Sequence, residues 1–530
     1  MNNLYSNEPE NNHLKIASSS NRKSLGQFFT PFQVAYFMSE WLIDTKKRKI
    51  SLLDPAAGLG VFSRAIEKAI QDKNINLKVE HHLKEIDNFI SSKLSTILSP
   101  LNGKVFVYNE DFLKISWDKH YDAIIANPPY YKHHFIENKE KICSEISKQA
   151  KHNFSIQNNI YCWFLIKSLE LLKEGGKLVF IIPTEFLNSN YGAQIKDYLK
   201  NSGIVLHLIN VNFTETVFND ALTTSIIILA HKKKNKFNKI NFYTVNKTEE
   251  LKDLNFFLKT QPHKTYKTSI LDPKAKWRNY FNGNHNKIKK ENLLSFSTFG
   301  NFSRGIATGA NTYFTLSSVE VEKFNIPNEC LIPCITKANQ VKGLTFNQEN
   351  FNQLNKSGKK VYLFDGEKYQ DNQNCKKYIK LGEDQNIHKR FLTRNRDPWY
   401  ALEKREKSFL WACVFGRSGL KFIWNNSNCR NLTCFHAFYP TVFGKKYLHI
   451  LFIYLYTKLS KQLIDLEKRE FGAGLGKYEP NDINRSYILN FDKLNDKQIN
   501  RLTILQKNFI NNSQNSTFID EAETIFRNIY

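Results

Sequence analysis

The strongest chemical signal in the 530-residue chain is Asn127-Pro128-Pro129-Tyr130, which follows the apolar run Ala123-Ile124-Ile125-Ala126 without a break. Two successive prolines fix backbone dihedrals and remove two N–H donors, so the turn holds carbonyls rigidly beside the Asn127 amide oxygen. Acceptors held in that way suit an exocyclic amine. If the Asn127 oxygen and the Pro128 carbonyl each accept one N–H, they draw the nitrogen lone pair out of its ring and aim it at an electrophile. Tyr130 can stack on that ring. Upstream, three acids follow earlier apolar runs. In Leu53-Asp54-Pro55-Ala56-Ala57-Gly58-Leu59-Gly60 a glycine pair after a buried run lets backbone approach a ligand while a helix begins. Glu85-Ile86-Asp87 sets an acid where a ribose diol would be held, and Asp111-Phe112 joins an acceptor to an aromatic face, as an adenine ring requires. Singly each acid is an ordinary loop carboxylate; three in register predict an adenosine-bearing cofactor.

The elements that must position these residues are legible from apolar periodicity. Short runs at 51–54, 77–87, 104–108, 121–126, 177–183, 204–211 and 224–230 alternate with amphipathic segments such as 160–173. Runs of this length interleaved with helices predict an α/β domain with a mostly parallel sheet covered on both faces. Thr30-Pro31 before the stripe Phe32, Ala35, Phe37, Met38, Trp41, Leu42 predicts a capped helix. Residues 1–22 are polar and read as a mobile arm, 23–250 as the sheet domain, and 251–530, where the alternation stops, as a second, α+β domain. Within the latter, 448–470 reads as helical, followed by the glycine-rich turn 471–476.

Charge points to a polyanionic partner. The chain carries 76 Lys and Arg against 50 Asp and Glu, a formal charge of +26. Residues 1–250 hold 32 basic and 25 acidic side chains and 251–450 hold 33 and 15, so nucleic acid at the second domain is the expectation. Eight cysteines lack zinc-finger spacing and read as reduced, buried thiols, with no metal expected. No signal peptide or 18-residue apolar stretch is present, so a soluble cytoplasmic protein without a membrane partner is expected.

The ordered set Gly26-Gln27-Phe28-Phe29-Thr30-Pro31, the Asp54–Gly60 loop, Glu85-Ile86-Asp87, Asp111-Phe112 and Asn127–Tyr130 resembles the gamma-order N6-adenine DNA methyltransferases, the TaqI-like enzymes of type II restriction-modification systems. The likeness continues through Gly305–Asn311, Pro333–Asn339 and Phe471–Pro480, so it spans nearly the whole chain; Ala57 and Leu59 depart from the commoner Cys and Ser. It implies a seven-stranded, Rossmann-like class I methyltransferase sheet with a C-terminal α+β target-recognition domain. It implies S-adenosylmethionine as methyl donor, with Thr30 covering it, Asp54 and Gly58 at its methionine part, Glu85 at its ribose, Asp111 and Phe112 at its adenine, and Ala56, Ile86 and Asn127 among the other cofactor-binding residues. Asn127, Pro128, Pro129 and Tyr130 would hold a flipped adenine, with Phe218, or less favourably Phe213, on the base's other face.

The implied activity is methyl transfer to adenine N6 in double-stranded DNA, as the modification component of a restriction-modification system. A separately encoded endonuclease and a monomeric state are the accompanying expectations. Arg304, Lys337, Arg394 and Arg396 are the candidate DNA contacts. The rivals are N4-cytosine methylation and a catalytically silent DNA-binding subunit.

Overall fold

Each of the seven apolar runs is a strand in the computed structural model: β1 Lys49–Asp54, β2 Lys78–Lys84, β3 Lys104–Tyr108, β4 Tyr121–Ala126, β5 Leu172–Pro183, β6 Val205–Val211 and β7 Ser225–His231. Their order is β3-β2-β1-β4-β5-β7-β6, with β7 antiparallel to both its neighbours. The structure describes residues 4–16, 29–43, 45–130, 138–189, 191–211, 225–283, 291–369, 371–416, 420–471 and 475–530.

The sheet has nine strands rather than the seven expected, because β8 Lys239–Val245 runs parallel to β6 and β9 His263–Lys267 antiparallel to β8. β9 escaped the apolar count for a simple reason: its residues HKTYK are almost all exposed at the sheet edge.

Helices α1 Glu8–Ile16, α2 Phe32–Leu42, α3 Val61–Asp72, α4 Asn88–Leu98, α5 Lys139–Ala150 and α6 Ile160–Glu170 surround this sheet. Alternate residues of one strand serve two cores: Ile124 and Ala126 of β4 pack with Trp163 and Leu165 of α6, whereas Ala123 and Ile125 pack with Phe37 of α2 and Ile66 of α3. Burial on both faces explains why the strands read as continuous apolar runs, each such side chain contributing about 1.5–3 kcal/mol.

Two expected boundaries shift. The N-terminal stretch read as a mobile arm contains α1, fastened by an ion pair between Glu10 and Arg64 of α3 whose side chains are both buried. Its polar composition concealed a carboxylate with a buried partner. The chain divides into a unit spanning Met1–Lys287 and another comprising Ile288–Glu470 and Gly474–Tyr530, so the break lies near 287 rather than 250. Residues beyond 250 belong to the sheet domain because Phe257 meets Phe37 edge-on at 5.3 Å and Phe281 meets Phe242 at 5.0 Å. This moves the charge as well. Residues 1–287 carry 40 basic and 27 acidic side chains and 288–530 carry 36 and 23, an excess of +13 in each.

The second unit is built on a five-stranded sheet in the order Gly300–Arg304, Phe435–Pro440, Leu410–Cys413, Phe422–Asn425, Thr345–Phe346, and a four-stranded one beginning with Thr315–Leu316. The expected helix at 448–470 is two, Leu448–Tyr454 and Lys458–Asp465, the second capped by Thr457 accepting from the Ser460 N–H at 3.2 Å. All eight cysteines are free thiols. Among the described residues no helix is long and apolar enough to cross a membrane, and no group of three His, Cys, Asp or Glu is placed to hold a metal.

Candidate active site and cofactor pocket

The carboxyl ends of β1 to β4 converge on one pocket. Of the expected cofactor residues, Thr30, Ala56, Gly58, Glu85, Ile86, Asp111, Phe112 and Asn127 all line it. Asp54, at the last position of β1, lies fully buried. Its Oδ1 accepts from the Ala56 N–H at 3.2 Å, and its Oδ2 has no partner among the described residues. Burial drives its carboxyl up to about 8, against the lowering effect of the Ala56 N–H, and the charge of Glu85 adds to the rise.

The loop that follows is shaped by two left-handed residues. Gly58 holds φ +52°, and Gly60, at φ +77°, would bring a Cβ within 2.8 Å of Leu98, which no larger residue could accommodate without a shift. Ala57 and Leu59 are buried, so the departure from the commoner residues costs the loop no packing. Glu85, at the tip of β2, ties this loop down: one oxygen accepts from the Gly58 N–H at 2.9 Å and the other from the Asp87 N–H at 2.9 Å. Asp111 caps the short turn Phe112–Lys114 through the Leu113 N–H at 3.0 Å. Phe112 is buried against Phe164 at 5.1 Å, while Ile86 on the pocket wall is 62% exposed, an apolar surface that a planar ring would cover.

At the end of β4 the Asn127 amide is held from both sides. Its Nδ2 donates to Thr30 Oγ1 at 2.9 Å, and its Oδ1 accepts from the Tyr130 hydroxyl. Tyr130 points inward, its hydroxyl 3.3 Å from the Ile181 carbonyl and its ring edge-on to Tyr161 at 6.4 Å, and burial raises its phenol above the usual value. Pro129 lines the pocket and Pro128 is buried beneath it. Phe213 and Phe218 lie outside the described residues.

Several supporting groups carried no sequence signal. Asn7, just before α1, donates from Nδ2 to the Thr30 carbonyl at 3.1 Å and accepts the Phe32 N–H at 2.8 Å, doing the capping expected of Thr30. Its bonds extend through Thr30 to Asn127. His13 of α1 meets Phe29 edge-on at 5.7 Å, and Phe29 lines the pocket. Lys167 did carry a signal, as the one charged residue amid the apolar stretch 160–169. Its buried ammonium donates to the Leu113 and Ile115 carbonyls at 3.2 and 2.7 Å, pinning the Asp111–Ile115 loop, and burial lowers it to about 8.

In the second unit the four candidate DNA contacts differ in availability. Arg304 is paired with Glu479 at 2.6 Å, and Glu479, drawn down to about 2 by hydrogen bonds to Lys477 and Arg304 despite its partial burial, also holds Lys477 at 2.7 Å. Arg396 donates to the carbonyls of Ala307 and Thr308, the latter at 3.0 Å. Lys337 is exposed, and Arg394 is exposed over the ring of Phe391 at 5.4 Å.

A mostly parallel sheet in this order, with acids at three successive strand tips around one pocket, defines a class I, S-adenosylmethionine-dependent methyltransferase. The comparisons with known proteins narrow the class. Residues 2–218 match the family model described as Eco57I restriction-modification methylase, and 276–523 match the C-terminal domain of the type II methyltransferase M.Eco57I. The type II methyltransferase M.AccI of Acinetobacter calcoaceticus is 38% identical over 99% of this chain and 97% of its own. M.HindII of Haemophilus influenzae is 28% identical over 62% of this chain and 61% of its own. Among solved structures, the type IIL restriction-modification enzyme MmeI in complex with DNA aligns with a TM-score of 0.58 at 11% identity, over 94% of this chain and 72% of that one. The chain belongs to the type II restriction-modification methyltransferases, as the resemblance of its motifs implied.

Proposed function

We propose that this chain methylates the exocyclic N6 of an adenine rotated out of duplex DNA, as the modification half of a restriction-modification system, acting as a monomer beside a separately made endonuclease. The observation that carries this reading is the Asn127 amide at the pocket wall, its Nδ2 tied to Thr30 so that Oδ1 keeps one direction.

The residues fit S-adenosylmethionine. The unpartnered Oδ2 of Asp54 suits a cationic ammonium, Glu85 retains lone pairs for a ribose hydroxyl, and Ile86 with Phe112 frames a flat ring edged by Asp111. When bound, this group supplies an electrophilic methyl on a sulfonium. Asn127 Oδ1 and the Pro128 carbonyl would each accept one N–H of the base's amino group and orient its lone pair. The base amine then takes the place of the Tyr130 hydroxyl on Oδ1, which frees Tyr130 to turn toward the base. Extruding the base costs about a few kcal/mol, and stacking on an aromatic side chain returns about 1–3 kcal/mol.

Asn127→Ala should reduce methyl transfer to plasmid DNA about a hundredfold or more while leaving the thermal melt unchanged. The check is nucleoside mass spectrometry of the digested DNA. Activity within tenfold of wild type would remove Asn127 from the mechanism, 4-methylcytosine in place of N6-methyladenine would reassign the base, and no methylated base from the wild-type enzyme would leave a silent DNA-binding subunit.

A further inference from the structure

The segment Asn386–Arg396 contains Lys389, Arg390, Arg394 and Arg396 and no acidic residue. Lys389, Arg390 and Arg394 are exposed, and among the described residues none has a carboxylate within ion-pair distance. Nearby cations behave differently: Arg304 sits on Glu479, Lys404 on Glu367 and Arg405 on Glu403. Between the unpaired cations stand two apolar side chains turned outward, Phe391 at 70% exposure and Leu392 at 41%.

The tip is not loose. Thr393 is fully buried, its hydroxyl donating to the Ile387 carbonyl, while Asn395 Nδ2 donates to the Phe391 carbonyl at 2.7 Å and the Arg394 N–H to the Arg390 carbonyl at 2.9 Å. Beneath it lies the loop Gly305–Asn311, whose Ala307 and Thr308 carbonyls hold the Arg396 guanidinium. Gly309 there has φ +77°, and a Cβ on it would come within 2.8 Å of the Leu392 Cβ. The motif Gly305–Asn311 thus has a physical task, to seat this tip.

We propose that Phe391, with Leu392 beside it, is an apolar wedge that enters the base stack of duplex DNA while Lys389, Arg390 and Arg394 grip the flanking phosphates. The inference rests on the duplex-DNA reading above and adds the surface that contacts the stack. Charge complementarity selects the partner: three unneutralised cations around an apolar tip match a polyanion with a hydrophobic interior, and apolar side chains inserted between base steps kink and untwist the duplex. Stacked on Arg394, the ring is already held for entry.

The test uses the full chain, labelled duplex in a salt series, and plasmid relaxed by a topoisomerase in the presence of saturating protein. Phe391→Ala should weaken duplex binding about tenfold with an unchanged slope of log K against log salt, and should abolish the linking-number shift that the wild type produces. Phe391→Trp should restore both. Arg394→Ala, by contrast, should flatten the slope by about 0.9. Binding by Phe391→Ala within twofold of wild type, or no linking-number shift from the wild type, overturns the wedge while leaving DNA as substrate. Failure of the wild type to bind duplex at all overturns the wedge and the functional reading together.

Discussion

Asp54 is a carboxyl buried at a cost to the folded protein. Its carboxyl is pushed up to about 8 chiefly by burial. An ordinary carboxyl titrates near about 4, so between those values the folded chain holds a proton that the unfolded chain releases. Stability of the cofactor-free protein therefore falls as pH rises from about 4 to about 8. Asp54→Asn keeps the acceptor for Ala56 and removes the charge. It should melt higher than wild type at pH 8 without cofactor, lose the decline across that window, and bind S-adenosylmethionine at least about tenfold more weakly. Thermal melts at pH 5 and 8, with and without cofactor, check all three; a variant whose pH profile matches wild type removes Asp54 as the cause. The Asn127 Oδ1 is likewise engaged within the chain, accepting from the Tyr130 hydroxyl.

At the scale of elements, α1 supports the active site from outside it. Arg64 donates to the carbonyls of Leu4 and Ser6 at 2.8 and 2.6 Å as well as to Glu10, so one buried guanidinium organises the whole N-terminal segment. That segment carries Asn7, which holds Thr30, which holds Asn127. Burial raises the Glu10 carboxyl and lowers the Arg64 guanidinium, while each partner opposes the other's shift. Such a pair adds little over an apolar pair of equal volume, but breaking it is expensive, about 3–5 kcal/mol. Glu10→Ala should lower stability by about that amount and reduce methylation along with it. Glu10→Leu combined with Arg64→Met should recover part of the stability, the bonds from Arg64 to the Leu4 and Ser6 carbonyls remaining lost. Denaturant melts of the single and double variants measure the coupling, and additive losses would show that the ion pair does not fasten the helix.

For the whole molecule, the break near 287 redistributes both core and charge. A fragment ending at 250 loses Trp277, Tyr280 and Phe281 from the sheet domain's core, each worth about 1.5–3 kcal/mol buried, whereas one ending at 287 keeps them. The 1–287 fragment should fold cooperatively and bind S-adenosylmethionine, and 1–250 should fail to show a cooperative melt. Near-ultraviolet circular dichroism during heating distinguishes them. Because 1–287 holds a +13 excess of its own, it should also retain weak, steeply salt-dependent DNA binding, measurable by anisotropy. Loss of all DNA binding in a folded 1–287 fragment would return that role to the second unit alone.

The strands and the loops of the candidate site were legible in the sequence because their determinants are local. A strand buried on both faces must be apolar throughout, and a ligand loop at its end needs a glycine, an acid or a proline at a fixed distance along the chain. The seven runs are strands, and the residues that follow the first four of them, Ala56 to Leu59, Glu85, Asp111 and Asn127, line one pocket. What only the tertiary structure decided depends on pairs far apart in sequence: Glu10 with Arg64, Asn7 with Thr30, and Arg396 with the 307–308 backbone. The edge strand β9 and the shift of the boundary from 250 to 287 belong with them. Whether a polar side chain faces water or a buried partner is set by what the fold brings to it, and no periodicity in its own neighbourhood records that choice.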